Sequence, residues 1–295
     1  MSHVVRIPRP AFTALHGALR VFQVPALKDN LVWLVQCAKT GDTWAVDGPG
    51  ADEALAACET HGLRLVGILN THTHGDHIGI NKALARQGLL DSLQVVGSAS
   101  RASEIPGLTR PVHDGDTIEL GAVRGTVWLT EGHLDGHLSF VFTGPDGSDG
   151  VVFCGDTLFT GGCGYLFDGP PETMYRSLQR LASLHGDTRV CCAHEYTEDN
   201  LRFAWTVDGQ NAALAERIRT VWHLRAEGRC AVPSTIAEEC ATNPFIRCAS
   251  ADFRASLPAS LGRDARDSGE AAFAAVRALK NGGAHKQVDD GQLPL

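Results

Sequence analysis

The chain has 295 residues, 43% of them hydrophobic and 20% charged, with a formal net charge of −8. That is enough length and apolar content for one large cored domain or two smaller ones, and an acidic balance with no basic stripe argues against a nucleic-acid partner. The nine cysteines follow no disulfide framework: none is spaced C-x-x-C and Cys191 adjoins Cys192, so reduced thiols in the cytoplasm are the simplest reading.

The first 28 residues hold no Asp or Glu and carry Arg6, Arg9, Arg20 and Lys28, a faint likeness to a transit peptide, but Pro8 and Pro10 break any early amphipathic helix. No run is long enough to cross a bilayer, so no membrane partner is expected. Residues 21–24 and 31–37 read as strands around a turn at Lys28-Asp29-Asn30, and 43–46 reads as a strand that stops at the breaker Asp47-Gly48-Pro49-Gly50. An Ala-rich helix over 51–61 leads to a buried-type strand, 65–69, which runs straight into Thr71-His72-Thr73-His74-Gly75-Asp76-His77. A helix from about 80 to 87 follows, then strands near 93–97, 117–120, 123–129, 138–143 and 151–154, a helix over 172–185 and a strand over 189–193. After residue 195 strand-like runs vanish, and helices are expected over 199–207, 210–227 and 269–280, interrupted at Thr242-Asn243-Pro244-Phe245. The Gly-rich, polar tail from 281 reads as loose. Apolar strands separated by helices point to sheets covered by helices.

Four potential metal ligands, His72, His74, Asp76 and His77, fall within six residues. Composition alone gives H-x-H-x-D-H odds on the order of one in a thousand in a chain like this. Imidazole with carboxylate suits zinc, iron or manganese. In an extended segment His72 and His74 point one way, and a tight loop brings Asp76 and His77 to another side, so the segment can face two ions. Three more candidates stand where apolar strands stop: His133 after Leu129-Thr130, Asp156 after Phe153-Cys154-Gly155, and His194 after Cys191-Cys192-Ala193. Singly, each reads as a loop histidine or a helix-capping aspartate. Together with the first motif they make seven donors, too many for one zinc, which takes about four. His137, four residues past His133, reads as a supporting histidine.

The His72–His77 segment resembles the signature of the metallo-β-lactamase fold, with His133, Asp156 and His194 in that superfamily's order. Gly162-Cys163-Gly164, His194-Glu195-Tyr196-Thr197, Val232-Pro233-Ser234-Thr235 and Asn243-Pro244-Phe245 are similar to the glyoxalase II (hydroxyacylglutathione hydrolase) branch, over roughly residues 21 to 280. The resemblance implies an α/β fold, an αββα sandwich over 1–195 followed by a smaller all-helical substrate-binding domain over 196–295. It implies two divalent metal ions, zinc first with iron or manganese tolerated. His72, His74 and His133 would hold one, Asp76, His77 and His194 the other, and Asp156 would bridge. It implies hydrolysis of a small-molecule glutathione thioester, S-D-lactoylglutathione, by metal-activated water, with Asp76 orienting the attack. No G-x-S-x-G nucleophile elbow occurs. Tyr165, Tyr196, Arg277 and Lys280 are the candidate substrate contacts, the last two at i and i+3 on one helix face. Three positions depart from the family pattern: Tyr165 stands where Lys or Arg is usual, Phe167 where Tyr is frequent, and Asp135 where Thr is frequent. A monomer is expected.

Other chemistries on the same fold fit less well. A mononuclear-iron persulfide dioxygenase lacks the long helical C-terminal region, a nuclease needs a basic clamp, and a decayed binding module has no reason to keep all seven ligands. Asp76 and the helical region also argue against a β-lactamase.

Overall fold

The computed structural model describes residues 3–295. Strands β1 (Phe12–Ala14), β2 (Leu19–Ala26), β3 (Asn30–Cys37), β4 (Asp42–Val46), β5 (Arg64–Leu69), β6 (Gln94–Ser98) and β7 (Arg110–Val112) form one seven-stranded sheet in chain order. Its first four strands are antiparallel and β4 to β7 run parallel. Helix α1 (Asp52–His61) links β4 to β5, and α2 (Gly79–Arg86) links β5 to β6. A second sheet is built from β8 (Thr117–Leu120), β9 (Val123–Leu129), β10 (Leu138–Phe142) and β11 (Val151–Gly155). The small hairpin β12 (Leu158–Phe159) and β13 (Gly162–Cys163) follows, then α3 (Pro171–Ala182) and β14 (Arg189–Cys192), which pairs parallel with β11.

The apolar runs explain the layering. In β3 the side chains alternate: Leu31, Trp33 and Val35 enter the core between the sheets, while Val32 and Leu34 face α1 and α2. A strand buried on both faces reads as an unbroken apolar run, as this one does. Phe153 of the other sheet meets Trp33 at 6.4 Å, and Phe140 and Phe142, with Met174, Leu178 and Leu181 of α3, belong to the same core. Each fully buried side chain of this size contributes about 1.5–3 kcal/mol through removal from water. The outcome is helix, sheet, sheet, helix, as the resemblance implies.

The remaining helices are α4 (Thr197–Asp208), α5 (Ala212–Ala226), α6 (Ile236–Thr242), α7 (Pro244–Arg247), α8 (Ala251–Ser256) and α9 (Gly269–Asn281). Phe203 stacks on Phe245 and Phe245 meets Phe273 edge to face, both with centroids 5.7 Å apart, and Phe273 meets Tyr175 of α3 at 6.1 Å. Arg217 of α5 forms a buried ion pair with Glu239 of α6. The other Glu239 oxygen accepts from Gly161 N and Asn243 Nδ2, both at 2.9 Å. Asn243 caps α7 through Phe245 N and also donates to Gly162 O at 2.9 Å, so the 158–163 hairpin is gripped from the helical side.

Two expectations are corrected. Strand pairing does not end at 195: β15 (Ser234–Thr235) pairs antiparallel with β14. Two polar residues carry no alternation that a reading of periodicity can detect. The tail from 281 is not loose. Arg202 donates to Val288 O at 3.0 Å, Trp205 to Gln292 O at 3.1 Å, and Leu293 is buried against α4 and α5. Side chains of the helices hold it, so its own composition gives no sign. No helix among the described residues is long and apolar enough to cross a membrane.

Candidate metal centre

The seven donors all follow the C-terminal ends of strands: β5 delivers His72, His74, Asp76 and His77, β9 delivers His133, β11 delivers Asp156 and β14 delivers His194. Backbone bonds clip these ends together. Leu138 N donates to Thr71 O at 2.8 Å, Leu31 N to Ala193 O at 2.7 Å and Glu195 N to Asp29 O at 2.9 Å. The histidine segment is irregular rather than extended, and His77 and Ile78 both donate backbone N–H to His74 O, closing the turn that starts α2.

Two donor groups result. His74 Nδ1 lies 3.0 Å from both His72 Nε2 and His133 Nε2. Asp76 Oδ2 lies 3.4 Å from His194 Nε2 and 3.7 Å from His77 Nε2. Asp156 stands between them, with Oδ2 3.5 Å from His133 Nε2 and Oδ1 3.5 Å from both His77 Nε2 and His194 Nε2. Donors held about 2.1 Å from one tetrahedral ion lie roughly 3.4 Å apart, a spacing that these separations of 3.0–3.7 Å bracket. His77 Nε2 and Asp156 Oδ1 are buried without a hydrogen-bond partner, and both point into the second group. Orphaned buried polar atoms are costly, and a divalent cation between them removes the cost. The residues therefore fit divalent metal.

The outward ring nitrogens are fixed by partners. His77 Nδ1 meets Asp47 Oδ2 and His194 Nδ1 meets Asp29 Oδ1, each at 2.9 Å. His133 Nδ1 donates to Tyr165 O at 2.7 Å, and His72 Nδ1 faces Thr71 Oγ1 at 3.1 Å. With Nδ1 occupied in these four rings, Nε2 is the atom left to face the cluster. Asp47, His72 and His77 could be read as a third donor group. The Asp47 oxygens already take Thr71 N at 2.8 Å, Thr71 Oγ1 at 2.7 Å and His77, so Asp47 orients rather than ligates. Fully buried His137 accepts from Asp156 N at 3.2 Å and stacks on His72 at 4.7 Å, the supporting place expected of it.

The electrostatics agree. Burial and neighbouring imidazoles push His72 and His137 well below the usual histidine range, and burial lowers His133 and His74 as well. Burial also opposes charge on His194, yet the carboxylates of Asp156, Asp29 and Asp76 outweigh it and push the ring up to about 10. Burial likewise works against ionised Asp76, but His194, His77 and Asn30 hold its carboxyl well below the ordinary range. The second group is thus rich in negative charge, and loading it with metal displaces protons. Replacing Asp29 with alanine is expected to weaken metal affinity about 10- to 100-fold through the loss of ring orientation. Competition against a graded chelator checks this, and unchanged affinity contradicts it.

Glycines make room at the wall. A Cβ on Gly164 would stand 2.0 Å from Asp156 O and 2.9 Å from His133 Nδ1; one on Gly162 would stand 2.5 Å from Asn200. Tyr165 and Phe167 are more than half exposed, and Phe167 sits edge-on to His74 and His133 at 5.1 and 5.2 Å. Tyr196 stacks on His194 at 4.8 Å. Asp135 is exposed, and its carbonyl accepts from Arg101 Nε at 3.1 Å. Arg277 and Lys280 are turned inward: Arg277 donates to Cys163 O at 3.3 Å beside the hairpin, and Lys280 donates to Asn200 Oδ1. Asp29, Asn30 and Asp47 were not picked out by sequence reasoning. Asp47 carries a signal in its backbone, φ 55°, unusual for a non-glycine residue and frequent at functional sites.

Residues 28–194 match the family model of the metallo-beta-lactamase superfamily, and residues 195–283 match that of the hydroxyacylglutathione hydrolase C-terminus. The hydroxyacylglutathione hydrolase of Methylococcus capsulatus is 45% identical over 239 residues, 81% of this chain and 91% of that protein. That of Gloeobacter violaceus is 44% identical over 261 residues, 88% of this chain and 98% of that protein. Among solved structures, ETHE1 from Myxococcus xanthus aligns with a TM-score of 0.56 at 24% identity over 79% of this chain and 87% of its own, a likeness of fold. TTHA1623, solved in a di-iron-bound form, aligns with a TM-score of 0.50 at 26% identity over 76% of this chain and 98% of its own.

Proposed function

The chain belongs to the hydroxyacylglutathione hydrolase family of the metallo-β-lactamase superfamily, and from that membership we propose that it hydrolyses S-D-lactoylglutathione to D-lactate and glutathione, the second step of methylglyoxal detoxification. The observation that carries the binuclear part of this reading is Asp156, whose two oxygens face different donor groups. His72, His74 and His133 would hold one ion, Asp76, His77 and His194 the other, and Asp156 both. Zinc is the first candidate, and iron and manganese suit the same donors. The two-part division, 1–195 for chemistry and 196–295 for substrate, belongs to the same reading. Nine unpaired thiols support a reducing, cytoplasmic setting.

When bound, such a pair of ions supplies Lewis acidity, lowering the pKa of a water and polarising a carbonyl. The protein supplies orientation. Asp76 Oδ2 accepts from Asn30 Nδ2 at 3.0 Å, which aims the carboxylate to orient the attacking water and hold its proton. The leaving group is a thiolate, and a thiol of pKa about 8.5 departs with little acid assistance. The rings of Phe167, Tyr165 and Tyr196 wall the centre and shed water from it. Arg277 and Lys280 supply positive charge for the two carboxylates of glutathione.

Thiol release from S-D-lactoylglutathione, measured before and after chelation, tests the proposal. Metal-dependent release supports it. No release by metal-replete protein, or oxygen consumption with glutathione persulfide instead, overturns it. Tyr165→Lys is expected to lower KM up to about fivefold, the worth of one exposed charge pair of about 1 kcal/mol. Steady-state kinetics check it, and an unchanged KM means position 165 takes no part in recognition.

A further inference from the structure

A cavity of about 270 Å³, partly open to solvent, lies between α5, α6, β15 and the segment around Arg9. Its walls include Arg9, Arg217, Thr160, Pro233, Ser234 and Val221. Nothing in the chemistry described above uses it.

Its polar atoms are unusual in being left over. Thr160 Oγ1 and Ser234 Oγ are buried and have no hydrogen-bond partner, although their side chains are only 2% and 3% exposed. Arg9 Nε is also buried without a partner. Among the described residues no carboxylate pairs with Arg9, whereas the other charged groups around the cavity are already engaged. Arg217 holds Glu239. Glu216 is 2.8 Å from Arg219, and Glu238 accepts Thr235 N at 2.8 Å in the cap of α6. Arg9 is also held in place: its backbone N donates to Gln23 Oε1 at 2.9 Å, and Gln23 Nε2 donates to Val232 O at 3.0 Å.

One guanidinium without a protein partner and two orphaned hydroxyls in the wall of one cavity match an oxyanion, which accepts from all three once they turn toward it. The volume falls just under the roughly 300 Å³ at which ordinary small-molecule pockets begin, so the ligand is small. We propose that this cavity is a second ligand site, distinct from the metal centre, for a small oxyanion: inorganic phosphate or a short hydroxy-carboxylate. It is independent of the thioesterase reading. Thr160 joins β12 to β13 and precedes the glycine gripped by Glu239, so an occupant would rest on the hairpin whose Phe159 meets Tyr196 at 5.3 Å.

The test titrates metal-loaded protein with inorganic phosphate and, separately, with D-lactate by calorimetry, beside Arg9→Gln and Ser234→Ala. The metal centre binds anions too, so the informative quantity is the event lost in the variants. At least one anion is expected to show a saturable event weakened about tenfold or more in Arg9→Gln and reduced in Ser234→Ala, with thiol release by both variants unchanged. Which anion responds identifies the source of the oxyanion. If Arg9→Gln folds poorly, an anion-dependent rise in the unfolding temperature that is larger in wild type than in Ser234→Ala carries the same information. Identical titrations of wild type and both variants with both anions would mean the cavity holds only water, and the proposal fails.

Discussion

Asp156→Ala is expected to lower kcat/KM for S-D-lactoylglutathione by about a thousandfold or more, roughly 4 kcal/mol of transition-state stabilisation. The reason is geometric. Among the described residues Asp156 is the one carboxylate with an oxygen 3.5 Å from a nitrogen of each group, His133 on one side and His77 and His194 on the other. Without it the first group keeps three imidazoles, while the second loses an anion that, against the opposing effect of burial, raises both His77 and His194 above the usual histidine range. Metal content is expected to fall below two ions per chain along with the rate. Elemental analysis and steady-state kinetics on the same preparation check this, with the unfolding midpoint as a control for folding. A variant that keeps two ions and a near-normal rate contradicts the bridging role.

Lys280→Met is expected to raise KM about 10- to 100-fold while leaving kcat within a few fold, the pattern for a group that binds ground and transition states alike. Lys280 is buried over the faces of Phe203 and Phe245, and its nearest carboxylate oxygen, on Asp199, is 3.9 Å away. Burial, then the neighbouring Arg277, pulls its pKa down to about 8. Such an under-compensated ammonium favours an incoming carboxylate. In wild type KM is expected to climb as pH rises through about 8 and the proton is lost, and the methionine variant should lose that dependence. Stability gives a second readout. The folded pKa lies below the unfolded value of 10.5, so the charged side chain costs stability below about pH 8, and the cost is relieved as pH rises from there toward 10.5. At neutral pH the methionine variant is therefore expected to melt higher than wild type. A variant with unchanged KM removes Lys280 from substrate recognition.

Much of the architecture was legible because it is written in local runs. Leu31–Val35 and Leu65–Leu69 are unbroken apolar stretches, and the structure buries β3 on both faces and runs β5 into the histidines. All seven donors stand at strand ends, where an apolar run gives way to polar residues. What escaped the sequence depends on distant partners. Asp29 orients His194 across 165 positions and Asp47 orients His77 across 30, yet on the page each looks like a turn residue. The hairpin at 158–163 and the pair at 234–235 are two-residue strands, too short for any period. The tail is held by Arg202 and Trp205, so its order resides in another helix. Arg277 and Lys280 do share a helix, but their inward turn follows from the aromatic stack of Phe203, Phe245 and Phe273, which periodicity does not reveal.

A thioesterase that works on two ions has a definite metal stoichiometry. The most direct measurement adds zinc stepwise to fully chelated protein and follows thiol release from S-D-lactoylglutathione. Activity is expected to rise to a plateau at two equivalents per chain. A plateau at one equivalent, or no thiol release with two equivalents bound, would contradict two-ion catalysis.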